Sequence, residues 1–149
     1  EGNAVIVDLD GTLAQFNPDE VHEWVLGADK QWDPFFEYMS TAPVIENVLR
    51  LVNILKAQGQ KILICSGRPE SHKQHSVEWM ERNNVPFDGV YLRPLDADHV
   101  PDEVVKKNLL EQIYADGFHP WLVLDDRDAV VENWRALGLT CLQCAPGDF

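Results

Sequence analysis

Positive charge is scarce in this chain. Lysine and arginine number 12 against 25 aspartates and glutamates, for a formal net charge of −13 over 149 residues. Broad, sequence-independent contact with long nucleic acid needs a basic face, so no extended nucleic-acid surface is expected. A site that engages one phosphate and a neighbouring base stays open. Cysteine is scarcer still: Cys65, Cys141 and Cys144 are too few and too odd in number for a disulfide framework, which suits a reducing compartment. Cys141 and Cys144 form one C-x-x-C with no second pair to complete a zinc site, and they read as structural filler. No apolar run approaches the length of a membrane span, and no signal-peptide pattern opens the chain, which predicts a cytoplasmic protein with no membrane partner. An initiating Met is also missing. The chain begins Glu1-Gly2, so its true start is expected further upstream, with room for a preceding domain.

What is present is enough for one domain, with 45% apolar residues to build its core. The chain is organised around Ala4-Val5-Ile6-Val7-Asp8-Leu9-Asp10-Gly11-Thr12-Leu13. The apolar run reads as a buried parallel-type strand, and it ends in two aspartates. Side chains alternate along a strand, so Asp8 and Asp10 are predicted to point the same way and to repel unless a cation lies between them. Crowded hard oxygens of this kind suit Mg²⁺. An Asp-x-Asp-Gly run can equally be a plain turn exit, and the rest of the chain decides between the two.

Residues 14–42 are too long for a simple connection and are predicted to form a small helical lid insert, with a helix beginning at Asn17-Pro18. The insert holds Phe16, Trp24, Trp32, Phe35, Phe36 and Tyr38, six of the fourteen aromatics. They either stack on a base or pack the insert onto the core. A helix is predicted from Pro43 to about Gln58, with Val44, Val48, Leu51 and Leu55 on its inner face, and a strand over 61–65 running into the polar turn Ser66-Gly67-Arg68-Pro69. Ser66 offers a hydroxyl donor and Arg68 a planar fork for phosphate oxygens. A helix over 70–83 turns Val77 and Met80 inward; His72 and His75 on it lack an acidic third ligand and read as surface residues. The strand 87–92 ends in Arg93. Asp102 then opens a helix carrying Lys106, four residues on and able to pair with it. The last long strand, Trp121-Leu122-Val123-Leu124, ends in Asp125-Asp126-Arg127-Asp128, of which Asp128 is a plausible cap for the helix 130–137; a short strand over 140–143 follows.

Strand and helix alternate throughout, which predicts an α/β fold with a doubly wound, mostly parallel sheet. Ligands of such sheets bind beyond the carboxyl ends of the strands, where every acidic or basic cluster named above falls. The ordered set of Asp8-x-Asp10-Gly11-Thr12, Ser66, Lys106 and the acid pair Asp125-Asp126 resembles the four motifs of the haloacid dehalogenase superfamily. The closer resemblance is to the 3′-phosphatase domain of phage-type polynucleotide kinases, carried by Ser66-Gly67-Arg68, the Asp102 to Lys106 stretch, Leu-Asp-Asp-Arg at 124–127, Val-Val-Glu-x-Trp-Arg at 130–135 and the final Gly-Asp-Phe.

The resemblance implies a Mg²⁺-dependent phosphatase with Asp8 as nucleophile and Asp10 as general acid and base. Metal would be held by Asp8, the Asp10 carbonyl, Asp125 and, through waters, Asp126. Thr12, Ser66, Gly67, Arg68, Arg93, Asp102 and Lys106 would line the substrate, a phosphorylated nucleotide or oligonucleotide 3′ end. An upstream kinase domain or partner is implied as well, although the kinase's Gly-x-x-x-x-Gly-Lys-Ser/Thr loop is absent from this chain. Two further departures are the longer insert at 16–31 and Asp19, which stands where the phage enzymes carry a basic residue. The alternatives are a phosphatase of mononucleotides or small metabolites, and a non-catalytic phosphate-binding module that needs no acid at Asp10.

Overall fold

Val5, Val7, Ile62, Ile64, Leu122 and Leu124 join one buried cluster, and Ala4, Ile6, Leu63, Cys65 and Val123 join another, as the two-residue alternation of strands requires. The computed structural model describes residues 2–27 and 29–149. Its strands are β1 (Ala4–Val7), β2 (Lys61–Pro69), β3 (Gly89–Arg93), β4 (Pro120–Asp125) and β5 (Thr140–Gln143), all parallel in the order β3-β2-β1-β4-β5. The helices are α1 (Pro18–Val25), α2 (Trp32–Met39), α3 (Glu46–Ala57), α4 (Lys73–Arg82), α5 (Asp102–Ala115) and α6 (Asp128–Ala136). Residues of α1 to α4 cover the first cluster and residues of α5 and α6 the second. Both faces of β1 are therefore buried, which explains why it reads as an unbroken apolar run. Strand order reverses beside β1, and the crevice for a ligand opens there.

Several elements depart from the sequence reading for local reasons. The insert forms two short helices, not one; Asn17 does cap the first, accepting from the Asp19 amide at 3.1 Å. The helix expected from Pro43 starts at Glu46, because Val44 bridges to Ala14 and the Ile45 amide donates to the Leu13 carbonyl at 2.7 Å. Val44 thus ties the insert's exit to its start, and Val52 is the fully buried residue of α3. Strand β2 continues through Ser66-Gly67-Arg68 to Pro69 where a turn was expected. The helix expected over 70–83 is a 3-10 turn at Glu70–His72 followed by α4; Ser76, Trp79 and Met80 are its buried residues, while Val77 is half-buried. Asp128 is the first residue of α6 rather than its cap, and its carboxylate accepts from Gln143 Nε2 at 2.7 Å. Cys65 and Cys141 are buried free thiols, and Cys144 is exposed. Among the described residues, no helix is long and apolar enough to cross a membrane.

Candidate active site

The Asp8 amide donates to the Leu124 carbonyl at 3.0 Å, so the register that pairs Val7 with Leu124 carries Asp8 to the level of Asp125. The chain then turns at once. The Leu9 carbonyl accepts from the amides of Thr12, Leu13 and Ala14 at 3.1, 2.8 and 2.8 Å, and Gly11 adopts φ +87°, a left-handed conformation open to glycine without strain. Space demands glycine too, since a Cβ there would lie 2.0 Å from Asp126 Oδ2. Thr12 is buried, with Oγ1 3.3 Å from Asp8 Oδ2 and 3.4 Å from Asp126 Oδ1; its single proton can serve either.

Asp8, Asp125 and Asp126 are all buried, and one oxygen from each lies within 4.8 Å of the others. Burial, with Asp125 alongside, pushes the Asp8 carboxyl well above the ordinary carboxylate range. Burial likewise lifts Asp126, to about 6, and Asp125 adds to the rise. The compensating cation is Lys106, which projects from α5 and donates to Asp8 Oδ1 at 3.0 Å and Asp125 Oδ2 at 2.8 Å. Burial alone would pull the lysine down, but Asp125 and Asp8 outweigh it and hold the ammonium well above its usual value. Asp125 is fixed further by Trp134 Nε1 at 3.1 Å and by the Asp126 amide at 2.8 Å. Three carboxylates facing one lysine leave negative charge in excess, and hard oxygens in that number fit Mg²⁺.

Asp10 does not share this cluster. Its carboxylate turns to Arg68, accepting from Nε at 2.9 Å and from Nη2 at 2.6 Å. Arg68 Nη1 donates to Ser76 Oγ at 3.1 Å, and the guanidinium lies 5.5 and 5.3 Å from the ring centres of Phe35 and Phe36. Arg68, expected to face phosphate oxygens, therefore grips the acid instead. Ser66 Oγ accepts from the Arg68 amide at 3.1 Å, which leaves the hydroxyl proton free to donate into the cavity.

The expected pairing of Asp102 with Lys106 is replaced by a different one. Asp102 is bound by Arg93 Nη2 and, on its other oxygen, by Arg127 Nη1 at 2.8 Å. Burial would raise its carboxyl, but Lys106, Arg93 and Arg127 hold it below the usual range. Arg93 also donates to the carbonyls of Gly67, Ala97 and Val100 at 2.8, 2.6 and 2.5 Å, so its fork is engaged by the protein rather than held open for substrate. A Cβ at Gly67 would lie 2.6 Å from Asp102 Oδ1, which lets this bridge sit directly behind β2.

Asp8, Asp10, Ser66, Arg68, Arg93, Asp102, Lys106, Asp125, Asp126 and Arg127 border one narrow cavity of about 60 Å³, whose outer wall includes Phe16, Val25, Leu26, Lys30, Trp32, Phe35 and Phe149. Phe35 and Phe36 are core residues, as the packing reading requires; Phe16 and Trp32 are only partly buried and both pack and face the cavity. Three lining residues were given no site role from the sequence. Arg127 and Phe149 were named only within the stretches that carry the family resemblance. Lys30 is the sole Lys or Arg of the insert, and that isolation was the available signal. His72 is half-buried rather than on the surface, stacked on Phe36 with ring centres 5.1 Å apart and bonded to Asp33 at 2.7 Å.

This fold and site define a phosphatase of the haloacid dehalogenase type. The family model described as the polynucleotide kinase PNKP phosphatase domain matches residues 2–149, and the chain belongs to that family. A protein solved within the Pnkp1/Rnl/Hen1 RNA repair complex is 28% identical with a TM-score of 0.79, over 98% of this chain and 43% of its own. A second structure of the Pnkp1/Rnl/Hen1 complex gives 27% identity and a TM-score of 0.80, over 98% and 47%. The chain thus spans less than half the length of either. A hydrolase from Streptococcus pneumoniae TIGR4, at 18% identity and a TM-score of 0.62 over 97% and 94%, shares the fold.

Proposed function

We propose that this chain, acting as one domain, is a Mg²⁺-dependent 3′-phosphatase of nucleotide or oligonucleotide ends that works through an aspartyl-phosphate. The observation that carries the reading is the Asp8 carboxylate, buried between Lys106, Thr12 and two further acids at the base of the cavity. Asp8, the Asp10 carbonyl, Asp125 and, through waters, Asp126 would hold Mg²⁺, which when bound would supply positive charge to offset that of the anionic nucleophile and ester. An Asp8 oxygen bonds to phosphorus as the ester P–O bond breaks. Asp10 protonates the departing alkoxide, for which its carboxyl must come away from Arg68; it then takes a proton from the water that cleaves the acyl phosphate and frees Asp8. The Ser66 hydroxyl and the Lys106 ammonium hold the phosphoryl oxygens as charge spreads over them. Arg93 and Asp102, locked in their own bridge, position Gly67 and Arg127.

The 3′-end assignment draws on the family and on the similarity to proteins of an RNA repair complex. The net charge of −13 favours a small phosphomonoester instead. Initial rates on matched 3′- and 5′-phosphorylated oligonucleotides decide between them. Preference for the 3′ end is expected; equal or faster release from the 5′ end would sink the 3′ assignment and leave the aspartate chemistry intact.

A further inference from the structure

The cavity has two poles of opposite sign. At its floor three carboxylates face Lys106; around Lys30 on the outer wall, the charges that act on it most strongly are Arg93 and Arg127 against Asp102 and Asp98, three cations to two acids once Lys30 itself is counted. Those two carboxylates are already in use. Asp102 binds both arginines, and Asp98 accepts from Trp32 Nε1 at 3.1 Å. Among the described residues no carboxylate lies within 4.0 Å of Lys30 Nζ, whose one hydrogen bond is to the Gly27 carbonyl at 2.5 Å. An ammonium has three protons to donate, so two remain. Lys30 is half-buried, and burial, with the nearby Arg93 charge, lowers its pKa against the opposing pull of Asp102 and Asp98. The surrounding insert is otherwise acidic: Asp19, Glu20, Glu23, Asp29, Asp33 and Glu37 are its carboxylates, and its single Lys lines the cavity.

We infer that Lys30, with Arg127 beside it, forms a subsite for a second phosphate of the substrate, the phosphodiester on the 5′ side of the terminal nucleotide. The inference rests on the proposed 3′-phosphatase reading and refines it. The scissile phosphate goes to Asp8, Ser66 and Lys106 at the floor; the next phosphate along the strand meets the rim. A mononucleotide leaves the rim cation unmatched. One such contact also agrees with the scarcity of basic residues elsewhere, because only the last internucleotide phosphate needs to be recognised.

The test compares kcat/KM for a nucleoside 3′-monophosphate, Np, with that for the 3′-phosphorylated dinucleotide NpNp, in the wild type, Lys30→Gln and Lys30→Arg. One charge-assisted contact predicts that the wild type favours NpNp about five- to tenfold. Lys30→Gln should bring the ratio close to one and Lys30→Arg should restore most of it. The salt dependence on NpNp should exceed that on Np by about 0.7 on a log-log scale, a difference that disappears in Lys30→Gln. A wild-type ratio near one, or a Lys30→Gln effect equal on both substrates, overturns the subsite. Failure of the wild type to release phosphate from either would instead overturn the 3′-end reading beneath it.

Discussion

Burial and two neighbouring acids all oppose a negative charge on Asp8, and that opposition makes its removal informative. Asp8→Asn retains an acceptor for Lys106 or Thr12 but has no anionic oxygen to attack phosphorus. Turnover should fall to background, while the metal-free protein gains on the order of 1 kcal/mol, a few degrees in melting temperature, from relieved repulsion. Activity and thermal denaturation of the same preparation check both halves. Asp102 behaves in the opposite sense. Its carboxyl is held below the ordinary range, so it contributes stability that is present above about pH 4 and is lost as pH falls through its lowered value. Asp102→Asn should flatten that part of the acid limb and destabilise the protein at neutral pH by roughly 1–3 kcal/mol, through the weakened bonds to Arg93 and Arg127. The acids and Lys106 were legible in the sequence because charge at a strand or helix end is conspicuous. Their partners were not, since Arg68 with Asp10 and Arg93 with Asp102 are pairings set by tertiary distance rather than by spacing along the chain.

At the scale of elements, the closing segment does more than its turn-like composition suggests. The Gly147 carbonyl accepts from the Asp128 amide at 2.8 Å, and the Phe149 carbonyl accepts from Arg127 Nε at 2.9 Å. A Cβ at Gly147 would lie 1.9 Å from the Asp126 carbonyl oxygen, so the tail lies flush on the backbone that presents Asp126 and Arg127. Gly147→Ala should therefore displace it, lowering kcat/KM at least tenfold and stability by about 1–3 kcal/mol, measured by kinetics and urea unfolding. The strands were readable from their apolar runs, the long helix α3 from its periodicity and α5 from its Pro101-Asp102 start. The insert was only half readable: α1 and α2 are 8 residues each, little more than two turns, and their place is set by Phe35, Phe36 and Met39 entering the core. Strand β2 likewise outran its apolar run, because Arg68 and Ser66 are buried by partners that no local pattern announces.

For the whole molecule, the crowded acids link stability to metal and to pH. Asp126, raised to about 6 in the fold, favours the folded state while protonated. That contribution is complete below the ordinary carboxylate value near 4 and disappears as pH rises through 6. Mg²⁺ should compensate above that window, so the rise in melting temperature on adding it should be larger at pH 7.5 than at pH 5, where protons compete for the same oxygens. Ca²⁺ should stabilise without supporting turnover, since its looser shell can draw in both Asp8 oxygens. The measurement that tests the central claim most directly is acid-quench analysis of the protein during turnover of a 3′-phosphorylated oligonucleotide with Mg²⁺, followed by peptide mapping. Transfer of phosphoryl to Asp8 predicts protein-bound phosphate on the peptide containing residues 4–13, absent from Asp8→Asn. Phosphate mapped to another residue, or Asp8→Asn turning over at a tenth or more of the wild-type rate, would contradict it.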